Sequence, residues 1–423
     1  MQNTTRKRLV SFLKHICVSS GECLAFGREK QKIKNLFQAF TRFQYAGNNI
    51  KRIGAESANG FIHEIPYEYK NYKMYTVLKS STHANSDNLM YEYEAGLYVN
   101  HLNDYLPCFI ETYGLFRYKD EAGWEEAKNS KTITKAVLSS LLTPPIPISY
   151  KVGCDSSKYL SLMIQHIKDA VTLEDLIEKK NNGNDSSFFE YEMLNILFQV
   201  YLTLAMCKDT FTHYDLHGSN VLLLTVGENR HIEYVYHITD SVTVKVKSKY
   251  MAKMIDYGRS YFNDTRRNVS SDMVYEKICS LKECDPDCGA DKGFFMMQKN
   301  KKESFPTYVM SDKRNMTHDL RLLYYLVNST SLVDNKKLDK KLKEVLECFY
   351  TTLYDPVDLT EKVFKGEYNK DTGRNDFNNV NDVYHELLDI IQQRSQPESS
   401  TVSVGELHVY CNSPKQMEFR KSN

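Results

Sequence analysis

The segment FTHYDLHGSNVLLL, residues 211 to 224, carries the densest chemistry in the chain. Asp215 stands at one end of a short polar loop, Asn220 stands five residues later, and an apolar run follows at once. A carboxylate in such a loop can orient a hydroxyl and accept its proton, while an amide oxygen nearby can hold a metal ion on a phosphate chain. Those are the needs of phosphoryl transfer, so Asp215 reads as the base and Asn220 as a metal ligand. His213 reads as a packed histidine bracing the loop, because the aspartate takes the chemical position. Cys279, Cys284 and Cys288, in CSLKECDPDC, have the side chains of a zinc site but not its usual C-x-x-C spacing. Buried or loop thiols are the expectation there.

The elements around the loop follow from periodicity. Ahead of it, FFEYEMLNILFQVYLTLAMCKDT predicts a long buried helix whose methionines are core. Behind it, NRHIEYVYHITDSVTVKVKSKYM alternates and predicts an added hairpin at about 225–252. MIDYGRSYF then places Asp256 after the apolar pair Met254 and Ile255. Upstream, IKRIGA, GFIHEIPYEY and KMYTVLKS predict an antiparallel meander, with Asn59, Gly60 and YKNYK as turns. NSDNLMYEYEAGLYVNHL predicts a helix over 85–102 with Ser86 or Asp87 as its N-cap. FIETYGLFRY and YLSLMIQHI read as strands, and about 117–158 between them reads as an insertion with a short helix near ITKAVLSSLL. Residues 1–48 predict a helical extension, with Ile33, Leu36, Phe37, Phe40 and Phe43 at helical spacing over 31–44. THDLRLLYYLVNST, KKLKEVLECFYTTLY and VNDVYHELLDIIQQR predict later helices, and SQPESSTVS links them to a strand-like GELHVY.

Together these segments resemble protein kinases. His213, Asp215 and Asn220 match the H-x-D-x-x-x-x-N catalytic loop, and Asp256-Tyr257-Gly258 resembles the later Asp-Phe-Gly. The resemblance implies that Asp256 holds magnesium bridging the phosphates of ATP. It makes Lys79 the lysine that steadies the α and β phosphates, with a helix glutamate as partner. Glu92 and Glu94 are the candidates, about 200° apart around the helix, and Glu92 is taken. Gly54 and Gly60 flank a hairpin similar to the glycine-rich loop, whose backbone amides would cradle phosphate, although kinases space these glycines G-x-G-x-x-G. Gln165, His166 and Ile167 fall where the kinase hinge holds adenine by its backbone. Asp319, in THDLRLL, falls where an aspartate braces the catalytic loop.

The chain also departs from that pattern. Tyr214 replaces the arginine that would receive an activation-loop phosphate. His217 stands where Ser/Thr kinases have a lysine, and no Ala-Pro-Glu follows Asp256. Asp215-Leu216-His217 is closer to aminoglycoside and choline kinases. HYDLH, the hairpin insertion, IDYGRSYF, HDLRLL and SGECLAFG together resemble kinases of large nucleocytoplasmic DNA viruses.

Composition sets outer limits. The chain has 423 residues, 41% of them hydrophobic and 26% charged, which is ordinary for globular protein. A net charge of +1 gives no footing for nucleic acid or an anionic membrane surface. No apolar run reaches the roughly 18 residues of a membrane span, and no secretory signal is visible, so an intracellular protein is expected, in host cytoplasm or virion if viral. Ten cysteines then read as thiols. The expected fold is α+β and bilobal, kinase-like, with a small antiparallel-sheet lobe and a larger, mostly helical one. Its expected parts are an extension (1–48), an N-lobe (49–165), a C-lobe (166–395) and a tail (396–423). The expected function is a Ser/Thr protein kinase using ATP and Mg2+ on a protein substrate. A small-molecule phosphotransferase and an inactive scaffold or virion component are the alternatives.

Overall fold

This computed structural model describes residues 16–17, 22–57, 60–69, 72–82, 88–143, 149–183, 185–227, 229–278, 311–330, 332, 335–348, 368–369, 374–375, 377, 379–394 and 401–421. Cys279, Cys284, Cys288 and the predicted N-caps Ser86 and Asp87 lie outside the described residues. The predicted helix over 31–44 is shorter than its periodicity suggests. Helix α1 (Arg28–Leu36) stops because Gln38, Ala39 and Phe40 adopt φ of 55°, 52° and 60°, which ends the helical ladder. The aromatic side chains still reach the core, delivered by the turn. Phe40 lies 4.1 Å from the Tyr113 ring and 5.1 Å from that of Tyr67, and Phe43 lies 5.7 Å from Phe116. The N-terminal segment is therefore built into the sheet core from Arg28 onward.

Three consecutive antiparallel strands follow, β1 (Ile50–Ser57), β2 (Gly60–Tyr69) and β3 (Tyr72–Ser81). Pro66 is tolerated in β2 because it lies beyond the residues paired with β1, where its carbonyl accepts from Gly47 N. Helix α2 (Asn88–Leu102) comes next, then β4 (Thr112–Tyr118). Among its described residues the insertion folds into three helices where one was predicted, α3 (Glu121–Asn129) and α4 (Lys135–Leu141), capped by Asp120 and Thr134, and a short one at Tyr150–Asp155. It also supplies two short strands, β5 (Thr132–Ile133) and β6 (Leu142–Thr143). With β7 (Leu160–His166) the sheet has seven strands in the order β5-β1-β2-β3-β7-β4-β6, all antiparallel. The insertion thus caps both edges of the sheet with two-residue strands, a common way to blunt an edge.

Alternation along β4 and β7 gives the sheet a core on each face. Phe116 and Met163 join a smaller core with Phe37, Phe40, Leu78 and Trp124. Leu115 and Leu162 join a larger one with α2 and the helical body. In that body α5 (Leu173–Asn182) precedes α6 (Met193–Cys207), in which every residue except Met206 is buried. Gln199 lets α6 bury a polar side chain, since its amide oxygen accepts from Ala252 N at 3.0 Å and its amide nitrogen donates to Tyr250 O at 3.1 Å. Strands β8 (Val221–Thr225), β9 (Arg230–His237), β10 (Thr243–Ser248) and β11 (Tyr250–Met254) realise the predicted hairpin region. Helices α7 (Arg321–Ser329), α8 (Lys340–Cys348) and α9 (Val380–Gln393) pack behind, α9 opening on an Asn379–Asp382 capping box. Finally β12 (Val402–Tyr410) pairs parallel with β9, and β13 (Glu418–Lys421) pairs antiparallel with β12. The whole is an α+β fold of an antiparallel sheet and a largely helical body. Among the described residues, no helix is long and apolar enough to cross a membrane.

Candidate active site

Strand register brings the polar loop and Asp256 together. Strands β8 and β11 pair antiparallel with Val221 opposite Met254, so the residues just beyond, Asn220 and Ile255, meet as well. Ile255 N donates to Asn220 O at 3.1 Å. Asp256 then turns out of the strand with φ of 68°, a left-handed conformation costly for a non-glycine residue. The following Tyr257 is buried and pins this turn, its hydroxyl donating to Met254 O (2.7 Å) and accepting from Ile110 N (2.9 Å).

The loop itself hangs from Asp319. That carboxylate accepts from His213 N at 2.7 Å and from Tyr214 N at 3.0 Å, and burial pushes its pKa up to about 7 against those two donors. Tyr214, with φ of 63°, is buried, and its hydroxyl donates to Lys313 O at 2.8 Å. The position expected to lack an arginine is therefore an internal anchor. His213 Nε2 bonds Ile255 O at 2.9 Å and Nδ1 accepts from Asp215 N at 3.3 Å. These two bonds assign the Nε2–H tautomer, and burial pushes the imidazole down to about 4. His213 is thus a neutral brace. Asn220 Nδ2 donates to the Asp215 carbonyl at 2.8 Å.

Lys79 joins the upper sheet to this group. Leu78 faces the smaller core, so the alternation of β3 sends Lys79 to the other face, toward α2. Its Nζ lies 2.7 Å from Glu92 Oε2 and 3.1 Å from Asp256 Oδ1. Glu94, on another side of α2, pairs instead with Arg267 at 3.0 Å. Burial alone would depress the Lys79 ammonium, but Asp256 and Glu92 outweigh it and hold it above its ordinary value. Lys79 in turn holds Asp256 below the usual carboxylate range. The Glu92 side chain is 4% exposed and that of Asp256 45%, so Asp256 is the carboxylate open to a ligand.

The other predicted residues are placed less directly. Gly54 sits exposed at a register shift between β1 and β2 with φ of 72°. Gly60 serves strand packing, since a Cβ there would lie 2.0 Å from Ser80 O. Gln165 and His166 pair with Thr76 and Tyr75, which precede Lys79 on β3. Gln165 N donates to Glu111 O at 2.7 Å, His166 Nε2 lies 3.2 Å from Glu64 Oε2, and the buried Ile167 accepts at its carbonyl from Ala170 N.

Two arginines escaped the sequence reading. Arg321 Nη1 lies 3.0 Å from Asp215 Oδ1, and Arg259 Nη1 lies 3.5 Å from Asp215 Oδ2. The available signal was a lone cation inside the apolar run LRLLYYLV. A cavity of about 620 Å3 lies apart from this site, between α1 and the C-terminal half of α2. Of its lining cations, Lys30, Lys34, Arg266 and Arg267 are paired within the protein to Asp104, Glu111, Asp264 and Glu94. Among the described residues, no cluster of three or more His, Cys, Asp or Glu side chains gathers as a self-sufficient metal site. The chain matches no protein-family model, and no curated protein is significantly similar to it.

Proposed function

We propose that the chain is an ATP- and magnesium-dependent phosphotransferase of bilobal, protein-kinase-like fold, acting on a Ser or Thr hydroxyl of a protein. The observation that carries this reading is the triad Glu92–Lys79–Asp256, at 2.7 and 3.1 Å, drawn from a helix, a strand and the turn that follows β11. An ammonium set between a buried and an open carboxylate beside an Asp215–Asn220 loop is what phosphoryl transfer asks of a protein. The sheet and its α2 would form the small lobe, the helical body the large one, and ATP would lie between them.

The donors suit a magnesium ion. Asn220 and Asp256 offer oxygen ligands, two in number, which fits a cation that completes its shell with water and substrate phosphates. When bound, the ion would neutralise charge on those phosphates. Lys79 would steady the phosphate chain and Glu92 would hold Lys79. Asp215 would orient the acceptor hydroxyl and take its proton as the new O–P bond forms and the bond from the γ phosphorus to ADP breaks.

Purified protein should be stabilised by Mg-ATP, by about 2.7 kcal/mol at a hundred times the dissociation constant. It should move labelled phosphate onto a generic protein substrate, and Asp215→Ala should abolish this while keeping the Mg-ATP shift. Absence of any shift would sink the enzyme reading and leave the scaffold. Transfer only to small hydroxyl compounds would move the acceptor to the small-molecule class.

A further inference from the structure

We propose that Arg321 is the positioning residue for Asp215, supplying from helix α7 the cation that the catalytic loop lacks at His217; this rests on the phosphotransferase reading above. Arg321 is only 1% exposed, and Leu320, Leu322 and Leu323 beside it in the chain are wholly buried. A buried ion pair is a poor stabiliser, since apolar residues of similar volume commonly do as well or better. Its presence therefore needs a reason beyond packing, and its contacts supply one. Nη1 bonds both the Tyr214 carbonyl (3.1 Å) and Asp215 Oδ1 (3.0 Å), while Nη2 bonds the Tyr325 hydroxyl (3.1 Å), one helical turn further on. The guanidinium also lies over the Tyr325 ring, 5.0 Å from its centroid.

Asp319, in the turn just before α7, and Arg321, the first residue of α7, thus divide one task. Asp319 fixes the path of the loop by its backbone at His213 and Tyr214, and Arg321 fixes the carboxylate by Oδ1. The second oxygen faces a different partner. Arg259 reaches Oδ2 only at 3.5 Å and its side chain is 27% exposed, so an acceptor hydroxyl can displace it. One oxygen is held permanently and the other is exchangeable, which is the arrangement a base needs to present a fixed lone pair. His217 cannot take the cationic role itself, because burial pushes its imidazole down. Its ring lies 5.7 Å from that of Tyr325, beside the same tyrosine that holds Arg321, so a lysine at 217 would carry its charge into the same neighbourhood.

The test compares wild type, Arg321→Gln, Arg321→Lys and the double variant Arg321→Gln with His217→Lys, reading kcat, KM for ATP and the Mg-ATP thermal shift. Arg321→Gln should keep the thermal shift and KM within about threefold while kcat falls about 100-fold, the scale of a misplaced base. Arg321→Lys should retain most of kcat, and adding His217→Lys to Arg321→Gln should restore about tenfold. An Arg321→Gln protein with wild-type kcat overturns the proposal, and so does a double variant without recovery. Should Arg321→Gln not fold, Tyr325→Phe replaces it, and an unchanged kcat there is equally fatal. A wild type with no Mg-ATP shift and no transfer defeats the phosphotransferase reading itself. An active wild type with dead Asp215→Ala and active Arg321→Gln defeats only the role given to Arg321.

Discussion

His213 is held between Ile255 O and Asp215 N, and this fixes it as a neutral ring in the folded state. Its pKa falls to about 4 from an ordinary 6.5, through burial first of all. Between those values the unfolded chain binds a proton that the folded chain refuses, so stability is full above about 6.5 and declines as pH falls toward 4. Asp319 acts in the opposite sense, since burial raises its carboxyl to about 7 and the stability it confers is lost as pH rises through that value. The two must be separated by mutation. His213→Gln keeps an N–H for Ile255 O and removes the titration. Its unfolding free energy should change less than that of wild type between about pH 7 and about pH 5, by about 2 kcal/mol. Urea melts at the two pH values measure this, and parallel pH dependences would refute it. Asp319→Ala should cost about 3 kcal/mol at about pH 5, where two backbone N–H donors lose their acceptor in the interior, and less at about pH 7, where the raised carboxyl has lost most of its contribution. Asp215, Asn220, Asp256 and Lys79 could be read from the chain because their spacing is local or their motifs are short. Arg321 could not, because its meaning lies in a partner 106 residues earlier.

Helix α2 must sit close to β4 for Glu92 to reach Lys79, and Gly96 permits that approach. A Cβ at Gly96 would stand 2.1 Å from Thr112 Oγ1 and 2.8 Å from its Cβ. Asn100, a turn further on, clamps the same residue, donating to Thr112 O at 2.6 Å and accepting from Thr112 N at 2.8 Å. Gly96→Ala should therefore push α2 away from β4 one turn after Glu92, although alanine is the better helix former. The expected cost is about 1–3 kcal/mol, as for overpacking generally. The Mg-ATP thermal shift should fall along with it. A Gly96→Ala protein with wild-type stability and shift would show that α2 has slack. The meander and α9 were legible because long stretches keep one period, and α2 and α6 because their apolar runs are too long for strands. The helix over 31–44 was overread because aromatic spacing continues through a turn whose positive φ values leave no mark in hydrophobicity. The strands β5 and β6 are two residues long, too short to show a period at all.

At the scale of the whole molecule, the most distant pairing is the one the sequence could least disclose. GELHVY reads as a strand, but its partner is the hairpin some 170 residues earlier, which β12 joins in parallel along β9. Leu407 and Val409 are wholly buried there, in the same core as α6, Tyr236 and Tyr384. The same tail reaches the N-terminal segment, where a Cβ at Gly27 would lie 2.1 Å from Met417 O and the Phe419 ring lies 6.1 Å from that of Phe26. The segment read as a tail is thus part of the structure that holds the helical body, on which the Asp215–Asn220 loop depends through α6 and α7. Among the described residues, no hydrogen bond or ion pair joins it to Lys79, Asp215, Asn220 or Asp256. Stability and chemistry should therefore separate at this place. Leu407→Ala removes buried methyl groups from a fully buried position and should cost about 3 kcal/mol. That is a large share of the 5–15 kcal/mol that usually holds a domain. Well below the lowered melting temperature, phosphate transfer and KM for ATP should stay at wild-type values. A Leu407→Ala protein that melts like wild type would show that β12 is a loose appendage. One that remains folded but loses transfer would show that the tail acts on the site itself.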